Sequence, residues 1–122
     1  MVDANIIDNF IDEREFRNYI INMLPTLGYN LLNIDDVRTS DGYEYNDNDL
    51  LAIKNDLRYT VQVYLNTIIG DKEIADALAD MHEEGISRAL IIVNKPADKD
   101  VIEFAKEKNI TIIDRDEIIK YL

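Results

Sequence analysis

Apolar residues recur at three- and four-residue intervals near the start of the chain, which predicts an amphipathic helix. The repeated positions are Phe16, Tyr19, Ile20, Met23, Leu24 and Leu27. Asp12, followed three residues later by Glu15, is typical of an N-terminal cap, and Gly28 is expected to end the helix. Because Pro25 lies inside the pattern, we expect a bend or a shortened last turn there.

Three runs after this helix predict strands. The first is a short strand over residues 29–34, and the next two cover residues 49–54 and 58–65. Asn55 and Asp56 supply turn residues between the second and third runs, so an antiparallel hairpin is the simplest interpretation.

Side chains alternate between the two faces of a strand, and this rule separates the residues of the third run. Its two faces carry Val61, Val63 and Leu65 on one side and Thr60, Gln62 and Tyr64 on the other. The side chains of Gln62 and Tyr64 must therefore point into the same environment.

In the second half of the chain, helical patterns alternate with apolar runs. A helix begins at Asp71, and its buried stripe is predicted to be Ile74, Ala75, Leu78 and Met81. The unbroken apolar run over residues 89–93 is typical of a strand that is covered on both faces. The remaining predicted elements are a helix over 98–108, a strand over 110–113 and a closing helical turn or two over 116–122.

A strand, a helix of about ten residues and another apolar strand form a right-handed crossover between parallel strands. The predicted order is α-β-β-β-α-β-α-β-α, which gives a mixed sheet of about five strands flanked by helices, an α/β fold. A chain of 122 residues suits one domain. We therefore predict a single domain over residues 1–122, with residues 1–11 as a loose lead-in or short turn.

The charge balance narrows the classes of partner. The chain has 25 acidic and 13 basic residues, a net charge of −12 at pH 7 and a pI near 4.3. Since charges are screened beyond ~8 Å at physiological salt, only a local basic patch could attract DNA or an anionic membrane. A basic protein partner, or simple solubility, agrees better with the sign of the charge.

Other features of the composition concern compartment and metal chemistry. The absence of cysteine excludes disulfides and thiolate metal sites, and His82, the only histidine, cannot form a multi-histidine site. No apolar run reaches the ~18 residues of a membrane span, and the amino end lacks a basic-then-apolar leader. We expect a cytoplasmic protein that does not associate with membranes.

Several segments together resemble a known family over residues 15–122. They are Glu15-Phe16, Leu27-Gly28-Tyr29, Asp49-Leu50-Leu51-Ala52, Tyr59-Thr60-Val61-Gln62-Val63, Ala89 to Asn94, Val101 to Lys106 and Ile110 to Arg115. With the order of elements, they are similar to the Mrr-type branch of the PD-(D/E)xK nuclease superfamily. The resemblance implies the restriction-endonuclease-like fold and, in active members, hydrolysis of phosphodiester bonds with Mg²⁺.

In the resembled family, the site consists of an aspartate, then an acid or glutamine two residues before a lysine. The metal polarises the phosphate and lowers the pKa of the attacking water, while the lysine positions that water or stabilises developing charge. Asp49 matches the aspartate and Gln62 the second position, and these two would hold Mg²⁺ if the domain is active. Tyr64 stands where the lysine is expected, and a phenol is neutral at pH 7. Arg17 also departs from the family, which usually places an acid there.

These departures predict a degenerate, non-catalytic relative that has no cofactor and acts as a binding or accessory module. A homodimer is one form that such a module could take. Two alternatives stay open. If Lys54 or Lys72 reaches Asp49 and Gln62, the domain is an active Mg²⁺-dependent DNA endonuclease. If the negative charge is the functional feature, the protein is an acidic inhibitor or immunity-type protein for a basic partner.

Overall fold

The computed structural model of the protein describes residues 5–10, 12–31 and 50–120. The helices in this part of the chain are α1 (Asn5–Asp8), α2 (Glu13–Met23), α3 (Asp71–Glu84), α4 (Lys99–Glu107) and α5 (Arg115–Ile119). The strands are β1 (Asn30–Leu31), β2 (Leu50–Lys54), β3 (Leu57–Tyr64), β4 (Ala89–Val93) and β5 (Ile110–Ile113).

The five strands form one sheet in the order β1-β2-β3-β4-β5. Both β1 and β3 run antiparallel to β2, while β3, β4 and β5 are mutually parallel and are connected through α3 and α4. The predicted mixed sheet of an α/β domain is therefore confirmed. The hairpin between β2 and β3 turns at Asn55 and Asp56, whose φ angles of 53° and 65° are those that this two-residue turn requires.

The first long helix agrees with its predicted boundaries. The backbone N–H of Glu15 donates to the Asp12 carboxylate at 2.8 Å, which caps the helix. At Pro25 the α-helix gives way to a 3₁₀ turn over Leu24–Leu27, the shortened end that proline favours. The chain then leaves through Gly28, where φ is 92°, a conformation that glycine adopts without strain.

The sheet separates two hydrophobic cores. The first contains residues of α1, α2, α5 and the strands, while the second contains residues of α3, α4 and the strands. Along β4, Leu90 and Ile92 belong to the first core, and Ala89, Ile91 and Val93 belong to the second. All five are fully buried, so the prediction that this strand is covered on both faces is confirmed.

The buried stripe of α3 differs from the prediction. Ile74 and Met81 are buried as expected, but Ala75 is exposed and 37% of Leu78 is accessible to solvent, while Ala77 is completely buried. The predictions for Ala75 and Leu78 are therefore wrong. The helix is rotated toward Ala77, because its small side chain allows close packing against the sheet. This rotation also brings acidic residues of α3 toward β3.

The predicted lead-in contains α1, and α1 is joined to the core. Ile7 is fully buried, and Arg115 donates two hydrogen bonds to the Asp8 carboxylate, at 2.7 and 3.0 Å. The last predicted helix begins at Arg115 rather than Asp116.

Residues 32–34 of the first predicted strand and the whole acidic segment 35–49 lie outside the described residues.

None of the helices in the described ranges is long and apolar enough to cross a membrane.

Candidate functional site

Gln62 and Tyr64 share one face of β3, as the alternation along the strand predicted. The Tyr64 hydroxyl donates a hydrogen bond to Oε1 of Gln62 at 2.9 Å. Both side chains lie on the side of the sheet that α3 covers, and Tyr64 packs against the second core. The two positions that the family resemblance singles out are therefore in direct contact.

Asp80 of α3 extends this contact into a chain of hydrogen bonds. The Gln62 amide nitrogen donates to Oδ2 of Asp80 at 2.5 Å, and a carboxylate oxygen is a strong hydrogen-bond acceptor. Gln62 thereby uses both ends of its amide, accepting from Tyr64 and donating to Asp80. Asp80 was not among the site residues predicted from the sequence. The signal available in the sequence was a set of acids at helical spacing on α3, namely Glu73, Asp76, Asp80 and Glu84.

These side chains line a cleft of about 220 Å³ between the N-terminal half of α2 and α3. The residues around it are Glu13, Arg17, Val61, Gln62, Val63, Tyr64, Asp76 and Asp80. Three of them are acids and one is a base, so the formal charge of the lining is negative. Arg17, which departs from the family pattern, is the base, and its Nε is buried without a hydrogen-bond acceptor among the described residues.

The electrostatic environment keeps the Tyr64 hydroxyl protonated. Burial raises the pKa of Tyr64 to about 12, and the nearby charges of Asp76, Glu73, Asp80 and Glu13 act in the same direction. At neutral pH this side chain is an uncharged hydrogen-bond donor. It cannot supply the positive charge that a lysine would bring to the same position.

Lys54 is one of the two lysines that could replace the missing family lysine, but it lies away from the cleft. Its Nζ donates to the carbonyl oxygen of Leu27 at 3.2 Å and lies 4.7 Å from the centre of the Tyr29 ring. In the hairpin, Lys54 pairs with Leu57, five residues before Gln62, which corresponds to roughly 17 Å along the strand. It stabilises the end of the first helical segment and does not line the cleft.

Lys72 and His82 are both exposed residues of α3. Lys72 lies in the first turn of the helix and does not line the cleft, so its part in catalysis stays a prediction.

Asp49, the predicted metal ligand, lies outside the described residues. Whether the site suits Mg²⁺ therefore depends on the described side chains around Gln62. The described ranges contain no group of three or more His, Asp or Glu side chains arranged to hold a metal ion. In addition, the amide oxygen of Gln62 already accepts the Tyr64 hydrogen bond. The described side chains around Gln62 therefore do not by themselves form a metal centre.

Comparison with known families agrees with the order of the elements and with the hairpin that carries Gln62. A restriction endonuclease family model, Mrr_cat, matches residues 8–122, more than nine-tenths of the chain. The chain belongs to the Mrr-type restriction endonuclease family. A comparison with curated proteins finds no match. Family membership confirms the predicted kinship and fold, whereas activity depends on which residues occupy the site.

Proposed function

We propose that this Mrr-type domain does not hydrolyse phosphodiester bonds and serves as a cytoplasmic binding or accessory module. The observation that carries the proposal is the state of Tyr64. At the position where active relatives have a lysine, the chain has a neutral hydroxyl that donates to Gln62 and lies in the field of several acids.

The missing charge has a large effect on the expected rate. Removing one preorganised group that stabilises transition-state charge typically costs ~10²–10³ in rate. The cleft adds a further barrier, because Glu13, Asp76 and Asp80 repel a phosphate that enters it. Both effects oppose hydrolysis.

The competing function is an active endonuclease in which Asp49 and Gln62 hold Mg²⁺ and Lys72 supplies the charge. Nicking of supercoiled plasmid with Mg²⁺ or Mn²⁺ distinguishes the two. We expect the wild type to nick no faster than the matched Asp49→Ala variant. Metal-dependent nicking that Asp49→Ala abolishes would overturn the proposal, and its loss in Lys72→Ala would identify the displaced lysine.

The acidic cleft supports a second candidate, in which the module binds a basic protein partner. The net charge of −12 favours approach of such a partner, and the cleft offers carboxylates for a lysine or arginine side chain. This candidate is compatible with the loss of hydrolysis, since it uses the acids that oppose phosphate entry.

A fluorescent lysine-rich peptide provides a probe for this second candidate. We expect binding that weakens with salt, and Asp76→Asn should weaken it more than Glu83→Gln. Asp76 lines the cleft, whereas Glu83 is an exposed acid on the same helix and not one of the cleft residues. Equal effects of the two variants would mean that the peptide responds only to net charge, which would refute a site in the cleft.

A further inference from the structure

The cleft between α2 and α3 is lined by charged groups from both helices. Glu13 and Arg17 belong to α2, whereas Asp76 and Asp80 belong to α3. The volume of about 220 Å³ is below the ~300–1,000 Å³ of sites for drug-sized ligands. The cleft therefore suits a charged molecule about the size of an amino acid.

Arg17 has no partner of its own in this cleft. Its Nε is buried without a hydrogen-bond acceptor, and it forms no ion pair with another described residue, although three acids line the same space. Buried polar atoms nearly always have a partner, because an unsatisfied one destabilises the folded state. A guanidinium contains only donors, and its fork of N–H groups matches a carboxylate. Arg17 therefore points to a ligand that carries a carboxylate.

The opposite wall of the cleft requires a cation on the same ligand. Asp76 and Asp80 repel a molecule that is only anionic, and Gln62 orients the Asp80 carboxylate by donating to its Oδ2. Between the charged walls, Val61 and Val63 offer apolar surface to an aliphatic stem, the part of lysine and arginine that commonly packs in this way. The lining thus fits a carboxylate and a cation joined by methylene groups.

We propose that the cleft binds a free basic α-amino acid, L-arginine or L-lysine. Arg17 receives the α-carboxylate, and Glu13, one helical turn away, receives the α-ammonium group. The side-chain cation lies between Asp76 and Asp80. The inference rests on the proposed function as a non-catalytic binding module. It names a free amino acid because the side chain of a basic protein brings a cation alone, which leaves Arg17 without an acceptor.

Calorimetric titration of the full chain with three related ligands tests this assignment. Agmatine keeps the amine and the guanidinium of L-arginine but lacks the carboxylate, and L-citrulline has nearly the same shape without the side-chain charge. The wild type should bind L-arginine about tenfold or more tightly than either, since each lacks one charged hydrogen-bonding group. Attraction to net charge alone would instead favour agmatine, because it has two positive charges and no negative one.

Two pairs of variants locate the contacts. Arg17→Gln should reduce the affinity for L-arginine to that for agmatine, whereas Arg14→Gln should retain the preference, because Arg14 is an exposed base of α2 outside the cleft. Asp76→Asn should weaken both ligands, and Glu83→Gln, an exposed change on α3, should weaken neither. The comparison of ligands on the wild type stands by itself if a variant does not fold.

Three results would overturn the inference. The first is agmatine binding to the wild type as tightly as L-arginine, or no saturable binding of L-arginine and L-lysine. The second is an equal loss in Arg17→Gln and Arg14→Gln, which would indicate a response to net charge only. The third is equal binding of Nα-acetyl-L-arginine, which would assign the cleft to the end of a polypeptide. Plasmid nicking is measured separately, so failure of amino-acid binding and failure of the proposed loss of hydrolysis are distinguishable.

Discussion

At the scale of single residues, Tyr64 determines the hydrogen bonding and the charge at its position in the described site. Its hydroxyl donates to Gln62, and burial together with the surrounding acids raises its pKa to about 12. A lysine at this position would contribute a cation at neutral pH, whereas the phenol contributes one neutral donor. The tyrosine therefore provides a hydrogen bond to Gln62 without a positive charge.

The raised pKa predicts how Tyr64 affects stability at alkaline pH. The unfolded chain releases this proton near the ordinary value of 10.0, but the folded chain holds it until about 12. The contribution of the Tyr64 proton to the free energy of unfolding is therefore fully present below about pH 10 and is lost as pH rises toward 12. Urea unfolding of wild type and Tyr64→Phe should show their difference in free energy of unfolding shrinking over this interval. A difference that stays constant would contradict the assignment.

At the scale of elements, the sequence predicts side-chain contacts along a strand better than contacts between a helix and a strand. The contact between Gln62 and Tyr64 could be predicted, because alternation along β3 follows from strand geometry. The contact between Gln62 and Asp80 could not, because it depends on the rotation of α3. Apolarity favoured Leu78 for the buried stripe, but packing selected the smaller Ala77, and only this rotation brings Asp80 to the strand.

The contact between α1 and α5 also could not be predicted from the sequence pattern. A four-residue helix is too short to show a period, and Asp8 and Arg115 are far apart in the chain. The hydrogen bonds from Arg115 lower the pKa of the Asp8 carboxyl. Since this pKa is depressed, the contribution of the pair to stability is present above the ordinary pKa of 3.8 and is lost as pH falls below it.

Breaking this pair should loosen α1 more than the rest of the protein. At neutral pH, Asp8→Asn should speed amide hydrogen exchange in α1, because the helix loses its two charged hydrogen bonds to α5. Asp116→Asn is the matched control, since Asp116 is 3.9 Å from Arg115 and its side chain is 67% exposed. Equal exchange in the wild type and Asp8→Asn would show that Ile7 alone holds α1.

At the scale of the whole molecule, the described residues have the fold of the family, and the described part of the site is an acidic cleft. The mixed sheet and its two cores follow from apolar runs, which sequence analysis could detect. The acidic cleft combines side chains from α2, β3 and α3, which are distant in the chain, and its charge depends on how these elements pack. An acidic cleft on a chain of net charge −12 favours cationic ligands over DNA.

We propose that this domain lacks hydrolytic activity because position 64 provides no positive charge. The rate of supercoiled plasmid nicking by excess wild-type protein with Mn²⁺, compared with that of Asp49→Ala, tests it most directly. We expect equal rates for the two proteins, both at the level of the protein-free background. A faster, metal-dependent rate in the wild type alone would contradict it.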